Sequence, residues 1–150
     1  MTRILALVLA AFIPLSAVAA EGTPDETEAL VQPVGETELS EFLWRKRPIM
    51  VFADTPADPA FEQQLRNIRE REEEFVIRDV VVITDTTPAA RSPIRQELRP
   101  RGFMLAIIDK DGEVKQRRPA PRTAREIMAV IDRFPSRRQE ILDQMPSGRD

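Results

Sequence analysis

The chain contains no cysteine, no histidine and no tyrosine. A thiolate nucleophile, a disulfide, a histidine or cysteine metal centre and a Ser-His-Asp triad are therefore excluded, and any chemistry must come from carboxylates, hydroxyls and guanidinium groups. Two groupings have informative spacing. The first is Asp54-Thr55-Pro56-Ala57-Asp58-Pro59, where Asp-Pro opens a helix and puts the Asp58 carboxylate at its N-cap, a position where free N–H groups and the helix dipole stabilise an anion. Asp54, Thr55 and Asp58 are the candidate binding residues of this loop. The second is Arg91, Arg95 and Arg99, which recur every four residues and are expected to share one face of a helix, where like charges cost about 0.2 to 0.5 kcal/mol per pair. With Arg101 they suit recognition of a carboxylate or phosphate by planar guanidinium forks, and arginine outnumbers lysine 19 to 3. Neither grouping specifies a catalytic residue, a metal site or a cofactor. Asp109-x-Asp111-Gly112 resembles the start of a calcium loop, but Ala120 stands at the twelfth position, so it reads as a hairpin turn. Ser92 and Ser136 lack a lysine three residues on, so a Ser-x-x-Lys nucleophile is unsupported.

Composition along the chain sets the compartment and the partner. Arg3 precedes an apolar run from Ile4 to Ile13 and the small residues Ala17 to Ala20, the pattern of a secretory signal peptide over 1–20, cleaved near Ala19 or Ala20. The run is too short to span about 30 Å of hydrocarbon, so the mature chain is expected to be free in the periplasm or outside the cell. Residues 21–36 are acidic and rich in proline and glycine, and read as a flexible tail. Residues 21–90 hold 7 basic and 16 acidic groups, net −9, whereas residues 91–150 hold 14 and 9, net +5. Nucleic acid is a poor partner for such a chain, which is negative overall and offers no aromatic stacking platform beside its basic residues.

The elements that must position these groups follow from hydrophobic pattern and punctuation. Thr37 is expected to cap a short helix carrying Leu39, Phe42 and Leu43, with Trp44 at the edge of the core. Ile49–Ala53, Val80–Ile83 and Phe103–Ile108 are unbroken apolar runs, as expected for strands covered on both faces. Asp58-Pro59 opens a helix to about Glu74, with its charged face laced by pairs such as Arg69 with Glu73. Ser92-Pro93 opens a shorter one through Arg99. Asp109 to Gly112 turns the chain into a half-exposed return strand, Glu113 to Arg117. Thr123 and Glu126 form a capping box for the next helix, and a last helix covers Ser136 to Gln144, leaving 146–150 frayed. The order β-α-β-α-β-β-α over 37–145 is the thioredoxin-like arrangement: a four-stranded mixed sheet flanked by helices, with an extra N-terminal helix.

Leu43-Trp44-Arg45-Lys46-Arg47, Gln64, Arg78-Asp79, Asp109-Lys110-Asp111-Gly112 with Lys115, and Ile131-Asp132-Arg133-Phe134-Pro135-Ser136-Arg137-Arg138-Gln139-Glu140 together resemble a bacterial exported family of unknown function (DUF4174), related to segments of equarin and the sushi-repeat secreted proteins. The resemblance implies a thioredoxin-like fold distantly akin to peroxiredoxins and no assigned activity. In a peroxiredoxin-like Thr-x-x-Cys, Thr55 and Asp58 would align, with a carboxylate where the thiol belongs. The expectation is a non-catalytic periplasmic module that binds an envelope protein or an anionic ligand. The alternative is a cell-envelope hydrolase or isomerase using carboxylates and arginines, with Asp54 or Asp58 in a pocket.

Overall fold

The computed structural model describes residues 29–145; the signal peptide read at 1–20, the first part of the acidic segment and the frayed end at 146–150 lie outside them. The three apolar runs form the centre of one mixed sheet: β2 (Arg47–Phe52), β3 (Val80–Asp85) and β4 (Met104–Ile108). Strand β2 pairs parallel with β3 and antiparallel with β4, and β4 pairs antiparallel with β5 (Val114–Arg118).

Alternate residues of these strands feed two separate cores, which is why their apolar runs are unbroken. Ile49, Val51, Val82, Leu105 and Ile107 pack against Phe61 and Ile68 of α1 (Pro59–Arg69), Phe75 of α2 (Glu72–Val76) and Ile127 and Ile131 of α4 (Ala124–Ile131). Met50, Phe52, Val81, Ile83, Ala106 and Ile108 pack on the other side against Ile94 and Leu98 of α3 (Pro93–Leu98) and against Leu39 and Phe42.

The sheet has five strands rather than four, in the order β1-β3-β2-β4-β5. Its extra member, β1 (Val31–Pro33), comes from the segment read as a flexible tail and lies parallel to β3, Val31 opposite Val82. Three residues are too few to show a period, and Pro33 is tolerated because this is an edge.

Three local readings also change. The N-terminal helix is a 3-10 turn, Leu39–Phe42, closed by a capping box between Glu38 and Glu41 rather than by Thr37. The long helix breaks at Arg71 (φ −143°, ψ 42°) and restarts with Glu72, Glu73 and Glu74 in the first turn of α2, where the dipole favours acids. Arg69 and Glu73 thus fall on different helices, and the pairs formed are Arg71 with Glu74 at 2.6 Å and Arg66 with Glu62 at 3.9 Å. Trp44 is 72% exposed, because Leu39 and Phe42 take the buried positions; its backbone is left-handed (φ 59°), with its N–H donated to the Lys110 carbonyl. In the hairpin, Gly112 adopts φ 82°, and a Cβ there would lie 2.8 Å from Leu43 Cδ2.

Candidate functional site

The pairing of Phe52 with Met104 brings the loop after β2 and the segment before β4 to the same end of the sheet. In that loop Asp54 and Thr55 are exposed. Asp58 caps α1: its Oδ1 accepts the N–H groups of Ala60 at 2.8 Å and Phe61 at 3.3 Å. The carboxylate is engaged in closing a helix end, as Asp-Pro implied.

The arginine stripe does not form. Helix α3 starts after Ser92 and ends at Leu98, so Arg91 precedes it and Arg99 is its left-handed C-cap. Only Arg95 lies within the helix, and it turns inward. Its Nε and Nη2 donate to the Asp85 carboxylate at 3.0 and 2.9 Å, Nη2 also reaches the Ala53 carbonyl at 3.0 Å, and the guanidinium stacks 5.4 Å from the Phe52 ring centroid. Asp85 is 3% exposed and also accepts the Ser92 hydroxyl at 2.6 Å. Burial disfavours ionisation of Asp85, but the bonds from Arg95, Ser92 and the Thr87 N–H outweigh it and hold its pKa below the ordinary carboxylate value. Arg95 is therefore a structural cation beneath the loop, not a surface ligand, and sequence spacing alone did not point to Asp85 as its partner.

Arg99 and Arg101 do meet, in a groove of about 270 Å³ that they line with Phe103, Met104, Arg117 and Arg118. Among the described residues, no carboxylate lines it. Arg117 donates to the Leu98 carbonyl at 2.6 Å, which fixes it at the groove wall. Arg117 and Arg118 were visible in sequence only as a contribution to the basic half; the antiparallel hairpin is what carries them to Arg99 and Arg101. Arg91 lies outside the groove.

The opposite end of the sheet holds the residues on which the family resemblance rests. Arg47, fully buried at the start of β2, donates Nε to Asp109 at 3.0 Å, Nη1 to the Arg78 carbonyl at 2.8 Å, and Nη2 to Ser136 and Glu140 at 2.7 and 2.9 Å. Lys110 bridges Asp79 and Glu140, both at 2.7 Å, and Arg78 clasps Asp132 through two bonds of 2.9 and 3.0 Å. Through Ser136 and Glu140, Arg47 and Lys110 fasten α5 (Pro135–Gln144) to the sheet. Burial alone would raise the Glu140 pKa, yet Arg47 and Lys110 pull it down to about 2. These residues form an ionic clamp around the buried Arg47. Asp109, the first oxygen of the discarded calcium reading, is engaged by Arg47 and Ser136.

A mixed sheet with a βαβ half followed by a ββα half, and a helix N-terminus after its first central strand, defines a thioredoxin-like domain. The chain matches the domain of unknown function DUF4174 over residues 38–140 and belongs to that family. Solved structures with the same fold include Plasmodium yoelii Prx1a, at 17% identity, TM-score 0.53, covering 77% of this chain and 88% of that one. The reduced 2-Cys peroxiredoxin of Plasmodium vivax has 14% identity and TM-score 0.52, with 73% and 86% covered. Desulfothioredoxin from Desulfovibrio vulgaris Hildenborough has 20% identity and TM-score 0.48, with 71% and 98% covered. Among the described residues, no helix is long and apolar enough to cross a membrane.

Proposed function

We propose that this protein is an exported, non-redox interaction module, working in the periplasm or outside the cell, that recognises an acidic ligand on a thioredoxin-like scaffold. The observation that carries the reading is the groove of Arg99, Arg101, Arg117 and Arg118, which among the described residues has no carboxylate in its lining. Gathered cations repel one another, and among the described residues the groove offers them no carboxylate; a bound anion would offset the repulsion. The apolar floor of Phe103 and Met104 lowers the local dielectric and strengthens charge-assisted bonds made above it. The alternative enzyme reading finds less support, because Asp58 serves as a helix cap and Asp54 is exposed.

The test is retention on immobilised polyglutamate. The triple variant Arg99→Glu, Arg101→Glu, Arg118→Glu is expected to elute at much lower salt than wild type, while Arg91→Glu elutes with wild type. Equal elution of triple variant and wild type would discard the proposal.

A further inference from the structure

We infer that the acidic ligand is an extended polypeptide segment that adds to the sheet as a sixth strand beside β5; this rests on the arginine-groove reading above. The sheet order leaves β5 at an edge, and among the described residues its strand pairing is with β4 alone. An edge strand presents unpaired N–H and C=O groups to whatever chain lies alongside. On the other side of the sheet a three-residue segment of the chain has added in this way, β1 alongside β3.

The open ledge on β5 has the same length. Ile108 pairs with Val114 and Ile107 with Gln116, so Lys115 is the extra residue of a bulge, and Pro119 has no N–H to offer. Gln116, Arg117 and Arg118 remain between them as regular strand.

Both flanks of that ledge are cationic. On one side lies the Arg99 and Arg101 groove; on the other a hollow of about 330 Å³ is lined by Gln116, Arg118, Arg122 and Arg133 with Ile127 and Val130, Glu126 being its one acid among the described residues. Arg118 borders both. A strand points successive side chains to opposite faces, so an acidic strand on this ledge would place carboxylates on both flanks while its backbone completes the ladder. A second copy of the chain is disfavoured at the same place, because a two-fold pairing of the edges would bring Arg117 and Arg118 of one copy close to those of the other.

The experiment uses the mature chain and three probes: a short peptide repeating Glu-Glu-Val, the same peptide N-methylated at alternate residues, and inorganic tripolyphosphate. Binding is followed by titration and by amide hydrogen exchange read by NMR. The unmodified peptide is expected to slow exchange at outward-facing amides among 116–118, and methylation to weaken it about tenfold through the lost backbone bonds. Equal affinity of the two peptides without added protection overturns strand addition but leaves the arginine reading standing. Failure of all three probes removes that reading as well. Protection of the same amides before any peptide is added, in a chain that sediments as a dimer, assigns the edge to a second copy and also overturns the inference.

Discussion

Arg99 holds a left-handed backbone (φ 49°, ψ 56°) at the C-cap of α3, a position that glycine occupies most cheaply, and its side chain lines the groove. Arg91 has nearly the same backbone (φ 48°) on the other side of the helix and lies outside the groove. Replacing either by glycine should therefore raise stability by about 1 kcal/mol in urea unfolding. Only Arg99→Gly should also weaken retention on polyglutamate, and parallel behaviour of the two variants would refute that division of roles. Arg95 sits at the other extreme. Asp85→Ala leaves its guanidinium inside the protein without a counter-charge, and is expected to cost about 3 to 5 kcal/mol, measured as a shifted urea midpoint. A loss below about 1 kcal/mol would mean the pair is not structural. The Asp58 cap was legible because Asp-Pro has a local meaning. The fate of Arg95 was not: four-residue spacing implies a shared face only if one helix spans all three arginines, and Ser92 and the Arg99 cap make that helix too short.

At the scale of elements, the central strands were legible because burial on both faces leaves an unbroken apolar run, and the capping box at Thr123 and Glu126 forms as written. Strand β1 was not, since its pairing with β3 is a tertiary event that three residues amid acids do not announce. The role of the terminal motif also needed the fold, because Arg47, Asp109 and Glu140 are far apart in sequence. The clamp makes the docking of α5 sensitive to acid. Glu140 has a folded pKa of about 2, below the unfolded value of about 4.3, so its contribution is full above about pH 4.3 and is lost as pH falls toward about 2. The shift corresponds to a stability on the order of 2 to 3 kcal/mol. The difference in unfolding free energy between wild type and Glu140→Gln should be present at neutral pH and shrink across that window. A difference that stays constant into acid would contradict the assignment.

Across the whole molecule, the two ends of the sheet have separate tasks. The β2 start and β4 end are locked by the buried Arg47–Asp109 pair and tied to α5 through Glu140, while the β2 end and β4 start carry the loop, the Asp85–Arg95 support and the arginine groove. The loop end keeps the helix N-terminus of a thioredoxin-like framework but places a carboxylate on it, so the framework's ability to stabilise an anion is separable from the thiol that would exploit it. The wild-type chain is accordingly expected to consume no peroxide when freed of contaminating peroxidase, and measurable turnover by such material would overturn a non-redox role. Asp58→Cys tests the other half. A thiolate at that site would inherit the N–H groups of Ala60 and Phe61 and the dipole of α1, and its pKa should fall below the free value of about 8.5. It should then react with iodoacetamide at neutral pH faster than free cysteine, despite a loss of about 1 kcal/mol in stability from the exchanged cap. Alkylation at the rate of free cysteine would show that the end of α1 offers an anion no special stabilisation.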